Sequence, residues 1–206
     1  MNGPREGGPP RRRVSRSAIR LELLVFVEGQ RTEETYLVGW RRLYRDRVLV
    51  AIDDFRGAPL SLVQHAIEAQ RAEAYEANRG RGRPHDQIWC VFDVDQHPNI
   101  TEALALAAQH NIHVALSNPC LEVWFLLHFG DQNGFIDRHA AQGQAETVLH
   151  CSKSLSGAAV GTLVDRYEMA KARAIRLDAK HEGDGSPPGS NPSSGMWRLV
   201  DMIRQA

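Results

Sequence analysis

Three acidic residues directly follow short apolar segments. Glu28 follows LELLVFV (21–27), while Asp93 and Asp95 follow QIWCVF (87–92). Asp93 and Asp95 are two positions apart, so in an extended chain their side chains point to the same side. Carboxylates that converge repel one another unless a cation lies among them, and all-oxygen ligation suits a hard cation. We therefore predict a Mg²⁺ or Mn²⁺ site, although an Asp-x-Asp pair alone is a weak indication because it also serves in turns and caps.

The apolar segments before these acids are too short for helices and predict strands that are buried on both faces. Further strands are predicted over 48–52 and 112–116, and the strands alternate with helices. This alternation predicts an α/β fold with a mostly parallel sheet flanked by helices. Ligands bind at the carboxyl ends of such strands, where we expect Glu28, Asp93 and Asp95 to meet. Helices are predicted from Thr32 and over 59–78, 103–110 and 121–129. Asn99 or Thr101 is expected to cap the third of these helices, and Pro119 is expected at the first helical position of the fourth.

Composition divides the chain into three parts. Residues 1–18 are rich in Gly, Pro and Arg and predict a disordered basic tail. We expect residues 19–135 to form the α/β catalytic core. Residues 136–206 are predicted to form a helical C-terminal extension packed on that core, with a helix over 158–181, a Gly/Pro/Ser loop over 183–195 and a last helix from Met196.

Overall composition excludes several classes of protein. The 206 residues carry 25 Lys and Arg against 25 Asp and Glu, and a nucleic-acid-binding protein can be neutral overall if its positive charge is localised. The three cysteines show no CxxC spacing, which argues against a zinc ribbon and a disulfide framework. No secretory signal and no apolar run of about 18 residues is present, so we expect a cytoplasmic protein without membrane contact.

Five further residues are candidates for the site. Glu122 lies in an apolar run, where a carboxylate is costly unless it is paired, and is either a helix-dipole partner or a second metal ligand. His97 is either a proton shuttle or an exposed loop histidine. Arg31 and Thr32 begin a helix and could hold a phosphate, with a capping role preferred for Thr32. Asn118 could position a phosphate oxygen, with capping again preferred.

Two other features weigh less. The arginines of RGRGRPHD (79–86) could contact phosphates, but a solvated loop is favoured. His128 lies on an apolar helix and is predicted to be a buried core residue rather than a ligand.

The motifs resemble a known family. Glu28-Gly29 at the end of one strand, with Asp-x-Asp at the end of a later one, resembles the Toprim domain of topoisomerases, bacterial primases, OLD-type nucleases and small ribosomal RNA maturases. More specifically, VFVEGQRTEETY (25–36), VFDVDQH (91–97) and SNPCLEVWFLLHF (117–129) resemble the RloB family, as does the weaker block NPSSGMWRLVDMI (191–203). The resemblance covers roughly residues 20–206. Gln30-Arg31 departs from the acidic residue and Lys common in the family, but Arg31 keeps the positive charge.

The resemblance implies a Toprim-like nuclease fold, with Asp93 and Asp95 as metal ligands and Glu28 as a general acid/base or metal-bridging group. RloB-like proteins are typically encoded beside an ATPase partner in bacterial anti-phage loci. The resemblance therefore implies a Mg²⁺- or Mn²⁺-dependent nuclease that acts on DNA or RNA, transfer RNA included. It also implies that the protein is the effector of an abortive-infection system and has an AAA- or ABC-type ATPase partner. A homo-oligomer is left open.

Two alternatives stand beside the nuclease. In one, the chain is a non-catalytic nucleic-acid-binding or sensor subunit whose acids stabilise the fold. In the other it is a primase-like nucleotidyl transferase, which would need a triphosphate site, and the sequence has no Gly-rich phosphate loop.

Overall fold

A computed structural model describes residues 20–29, 31–94, 97–151, 154–187 and 189–206. The predicted ligand Asp95 and the predicted basic tail over 1–18 lie outside these ranges. The strands are β1 (Leu21–Val27), β2 (Val48–Ile52), β3 (Gln87–Asp93), β4 (His113–Asn118) and β5 (Ser193–Ser194). The helices are α1 (Thr32–Tyr44), α2 (Pro59–Asn78), α3 (Ile100–Gln109), α4 (Glu122–Leu127), α5 (Arg138–Leu149), α6 (Gly157–Asp165), α7 (Tyr167–Gly183) and α8 (Met196–Gln205).

The strands form one sheet in the order β2-β1-β3-β4-β5. β1 pairs in parallel with both β2 and β3, and β3 pairs in parallel with β4. Only β5 runs antiparallel, beside the end of β4. The predicted α/β fold with a mostly parallel sheet flanked by helices is confirmed, and it is consistent with the Toprim-like class.

Both faces of the sheet are buried, which explains the continuous apolar runs. In β1, Leu23, Val25 and Val27 face a core that they share with α1, α4 and the C-terminal helices. Leu24 and Phe26 alternate with them and face a second core under α2 and α3. Successive side chains of a strand point to opposite faces, so both cores fix the position of each strand end.

The larger core joins the predicted C-terminal extension to the sheet. Ala141, Leu163, Ala174 and Leu199 from residues 136–206 lie in the same buried cluster as β1. β5 lies within the segment expected to be a loop and adds a short strand to the sheet. The C-terminal segment therefore shares one core with the strands that carry the acids.

Three predicted helices differ from those observed. α3 begins at Ile100, three residues before the predicted start, and Asn99 occupies its N-cap position without a side-chain capping hydrogen bond. Val123 and Trp124 donate to the carbonyls three residues before them, which makes a tight turn of residues 120–121, so α4 begins at Glu122 rather than at Pro119. The helix predicted over 158–181 is two helices. Arg166 leaves helical geometry with φ −99° and ψ 5°, and a new helix begins at Tyr167.

The arginine-rich loop over 79–86 lies before β3, at the end of the strand opposite Asp93. The seven residues of β3 span about 20 Å. Arg81 lies 3.5 Å from Glu76 and Arg83 lies 2.5 Å from Asp86, and both arginines are exposed. The loop is therefore exposed and lies at the end of β3 away from Asp93, and the preference for a solvated loop over phosphate contact stays a prediction.

No helix in the described ranges is long and apolar enough to cross a membrane.

Candidate functional site

Adjacent parallel strands bring the first two predicted acids together. The Glu28 N–H donates to the carbonyl of Val91 at 3.0 Å, which continues the β1–β3 ladder by one residue. The Asp93 N–H in turn donates to Oε2 of Glu28 at 3.2 Å. The predicted meeting of Glu28 and Asp93 at the carboxyl edge of the sheet is confirmed.

His97 also reaches this edge. Its Nε2 lies 2.7 Å from Oε1 of Glu28, and both side chains are about one-quarter exposed. Both oxygens of Glu28 therefore have a protein partner, one from a ring nitrogen and one from the backbone. His97 therefore contacts a predicted site residue and is not a loop histidine without contacts.

Glu33, in the first turn of α1, adds a carboxylate that was not among the predicted site residues. Its side chain folds back over Gly29, so that a Cβ added at Gly29 would lie 2.2 Å from Oε2 of Glu33. Burial raises the pKa of Glu33, and repulsion from Glu122 and Glu28 raises it further, although backbone groups of Glu33 and Gly29 act to lower it.

Glu122, the first residue of α4, faces the same point from the end of β4. Asp93 pairs in register with Ser117 of β4, and the chain reaches Glu122 five residues later. Repulsion from Glu122 raises the pKa of both Asp93 and Glu33. Burial raises the pKa of the Cys120 thiol, and the Glu122 carboxylate raises it further, so Cys120 is a poor nucleophile. Glu122 therefore belongs with the other acids.

Glu28, Glu33, Asp93 and Glu122 form what we call the acidic cluster. Asp93 is at its centre. Burial raises the pKa of Asp93 well above 3.8, repulsion from the other three carboxylates raises it further, and Arg138 acts in the opposite direction. Such a cluster needs a bound proton or a cation to offset the repulsion.

The donor set of the acidic cluster fits a hard divalent cation, since all of its ligands are carboxylate oxygens. Within the described ranges, however, no three His, Cys, Asp or Glu side chains are close enough to form a metal site as they stand. Glu28 is turned toward His97 and Glu33 toward Gly29. Among the described residues, side-chain rotation is therefore needed to bring three of these carboxylates around one ion.

A cavity of about 580 Å³ opens beside the acidic cluster, and we call it the α5 cavity. Glu33, Asp93 and Glu122 line one side, together with Arg31 and Thr32 from the start of α1. The other side is formed by α5 and the segment after it, which sequence reasoning did not place near the site. The cavity gives a ligand access to three acids and to at least two cationic side chains, those of Arg31 and Arg138.

The remaining predicted site residues divide into two groups. Arg31 and Thr32 line the α5 cavity, but Thr32 is the first residue of α1 rather than its cap, and α1 has no side-chain capping hydrogen bond. Asn118 neither caps α4 nor lines the cavity, since its amide donates to the carbonyl of Gly189 at 2.8 Å. His128 is fully buried, with Nδ1 2.8 Å from the carbonyl of Trp124, which confirms the predicted core role.

Glu33 and Arg138 were not predicted as site residues, and they differ in whether the sequence contains a signal for them. Glu33 lies four positions after Gly29, so a carboxylate folding back over a strand-end glycine could have been proposed from the spacing. Arg138 lies 45 positions beyond Asp93 in the sequence. No local pattern links those two residues, so only the packing of α5 could show that they meet.

Comparison with known proteins gives a family. No curated protein matches the chain, and no solved structure matches it. The sequence model of the family described as RloB-like protein matches residues 23–203. This range contains most of β1, all of β2 to β5 and all of the acidic cluster. The chain therefore belongs to the RloB-like protein family.

Proposed function

We propose that this protein is a Mg²⁺- or Mn²⁺-dependent nuclease that hydrolyses phosphodiester bonds in DNA or RNA. The observation that carries the proposal is Asp93, a half-buried carboxylate that lines an open cavity and whose pKa is raised by burial and by three neighbouring carboxylates. Perturbed groups of this kind concentrate at functional sites. The RloB-like family and the carboxyl-edge position support the same conclusion.

Each group of the site has a distinct role in this proposal. Asp93, Glu33 and Glu122 would hold the cation, together with Asp95, which stays a predicted ligand. A divalent ion bound there supplies Lewis-acid polarisation of a phosphoryl oxygen and a more acidic bound water. Glu28, paired with His97 through Oε1 and Nε2, holds and moves the proton.

The cationic residues of the cavity would orient the substrate. Arg31 and Arg138 line the α5 cavity on opposite sides, and the guanidinium group matches the geometry of a phosphate. The acidic cluster alone would repel a phosphodiester. Binding of nucleic acid is therefore expected to be weak without the cation and strong with it.

A cleavage assay tests the proposal. Plasmid, single-stranded DNA and total RNA are incubated with wild type, Asp93→Asn and Glu28→Gln in Mg²⁺, Mn²⁺ or EDTA. Asp86→Asn, at the other end of β3, is the matched control. Cleavage that needs the metal, is lost in both site variants and is retained in the control supports a nuclease.

Absence of cleavage by folded wild type, alone and with the ATPase partner, would contradict the proposal. It would leave the non-catalytic binding or sensor function as the better account. A rise in thermal stability on metal binding, without cleavage, would not support a nuclease. Any ligand that binds the native state stabilises it, whether or not the site is catalytic.

The proposed biological role is that of an effector of anti-phage defence, restrained by an ATPase partner until infection. The family carries this part of the proposal. Expression of wild type alone is expected to be toxic, and coexpression with the ATPase or the Asp93→Asn substitution is expected to relieve the toxicity. Equal toxicity of Asp93→Asn would separate growth inhibition from the acidic cluster.

A further inference from the structure

The α5 cavity extends along one face of α5. Arg138, Gln142, Ala145 and Leu149 line it, and they recur every three or four positions, so they share one face of the helix. Arg138, Asp93 and Glu122 line the same cavity, so the N-terminal end of α5 lies at the acidic cluster. From Arg138 to Leu149 the helix rises about 16 Å. The cavity therefore runs from the cluster toward the C-terminal end of α5.

The character of the cavity wall changes along α5. At its N-terminal end the wall carries the charge of Arg138 and the half-buried amide of Gln142. Farther along, the wall combines the buried apolar side chains of Ala145, Leu149 and Leu155 with the exposed polar side chains of Glu146 and Ser154. A ligand with an anionic group at one end, and at the other a body with apolar faces and polar edges, matches this wall.

The size of the cavity restricts the ligand further. Its volume of about 580 Å³ lies within the range of sites that enclose one small molecule. A nucleotide joins a phosphate to a flat base with apolar faces, so it has the required asymmetry. A base within a duplex is stacked and paired, and it reaches such a pocket only after it leaves the stack.

We propose that the α5 cavity receives one unpaired nucleotide of the substrate, with its phosphate near Arg138 and its base against Ala145 and Leu149. This inference rests on the proposed nuclease function and names its substrate class. The substrate is single-stranded or locally unpaired nucleic acid. Gln142, between the charged and apolar parts of the wall, is the position at which the base enters.

Two glutamines of α5 allow a matched test. Gln142 is half-buried and lines the cavity, whereas Gln144 is exposed on the other side of the same helix. Gln142→Trp fills the cavity, and Gln142→Glu adds a negative charge with little change of volume. Gln144→Trp and Gln144→Glu place the same side chains outside it.

Binding is measured by fluorescence anisotropy of a labelled single-stranded oligonucleotide and of the duplex of the same sequence. Ca²⁺ replaces Mg²⁺, because it also binds carboxylate oxygens. The single strand is expected to bind at least about tenfold more tightly than the duplex, as expected when an unpaired base is bound. Both Gln142 variants are expected to lose this preference, and both Gln144 variants to keep it.

Equal affinity for the two oligonucleotides, no binding of either, or wild-type affinity in both Gln142 variants overturns the inference. If one Gln142 variant also unfolds at lower temperature, the other variant decides. Failure of the proposed function has a different signature. In that case the single strand binds in a manner that depends on Gln142, but wild type cleaves no nucleic acid in Mg²⁺ or Mn²⁺.

Discussion

Asp86 and Asp93 lie at the two ends of β3, and the protein treats them in opposite ways. A hydrogen bond from the Glu22 N–H to Asp86, at 2.9 Å, lowers the pKa of Asp86, and Arg83 lowers it further. Burial raises the pKa of Asp93, and three carboxylates raise it further. The charge of Asp86 is satisfied by the fold. The charge of Asp93 is left for a ligand to satisfy.

The difference between Asp86 and Asp93 shows which carboxylate would gain more free energy from binding a cation. A carboxylate that is already paired gains little from a cation, whereas one held among like charges gains both the new attraction and relief of the repulsion. Asp86, at the amino end of β3, therefore stabilises the fold. Asp93, at the carboxyl end, destabilises the fold but is available to bind a cation.

Asp93→Asn should have the largest effect and should act in two directions. Removal of the central carboxylate is expected to lower cleavage on the order of 10³-fold, comparable to the loss of a group that stabilises a transition state. The same change removes repulsion from the folded state, so the unfolding temperature in EDTA should rise, by about 2–4 °C for each kcal/mol recovered. A lower unfolding temperature in EDTA would contradict the repulsion described here.

His128 is a useful contrast to Asp93, because burial shifts its pKa although it lies away from the acidic cluster. Burial lowers its pKa from 6.5 to about 4. Above pH 6.5 the ring is neutral in both the folded and the unfolded state. As pH falls from 6.5 to 4 only the unfolded state gains the proton, so the free energy of unfolding should fall by about 3 kcal/mol.

Urea denaturation of wild type and His128→Gln at pH 7 and at pH 4.5 measures this contribution. The pH dependence should be smaller in the variant, which cannot titrate at this position. Equal pH dependence in the two proteins would show that other groups cause it.

Substitutions at Gly29 and Glu33 test whether the Glu33 carboxylate, which was not a predicted site residue, contributes to cleavage. Glu33→Gln is expected to lower cleavage about tenfold, as for groups that support a metal ligand set. Gly29→Ala places a methyl group where the Glu33 carboxylate lies, so it should displace that carboxylate and give a similar loss. The double variant should lose no more than either single variant, because both changes remove the same interaction.

Gly134→Ala is the control for the glycine substitution, since a Cβ there meets nothing within 4 Å. Cleavage by this variant should equal that of wild type. Fully additive losses in the Gly29 and Glu33 double variant would mean that the two residues act independently.

Asp86→Asn should have the smallest effect and no effect on cleavage. Loss of the charged partner of Glu22 and Arg83 at this exposed position is expected to cost about 0.5–1 kcal/mol of stability. A carboxylate with a lowered pKa contributes fully above about pH 4 and loses its contribution as pH falls through the lowered pKa. The difference from wild type in urea should therefore shrink below pH 4.

The sequence predicted the fold well where burial leaves a local signal. Continuous apolar runs identified β1 and β3, Pro59 marked the start of α2 and Met196 the start of α8, because strand burial and helix initiation both depend on neighbouring residues. The break at Arg166 and the start of α4 at Glu122 left no such signal. Both depend on how helices pack in the larger core.

The site was predictable to the same extent. Glu28 and Asp93 follow strands whose parallel pairing can be inferred, so their meeting could be predicted. Asn118 bonds Gly189 and Arg138 faces Asp93 across separations of 71 and 45 positions. Contacts at such separations are set by tertiary packing, for which single-sequence patterns give no rule.

The most direct test of the acidic cluster is a titration of wild type, Asp93→Asn and Asp86→Asn with Mn²⁺, followed by calorimetry. The account predicts that wild type and Asp86→Asn bind Mn²⁺ with equal affinity, and that Asp93→Asn binds at least about tenfold more weakly. Equal binding by Asp93→Asn and wild type, or no binding by wild type, would contradict a metal site at the carboxyl edge of β3.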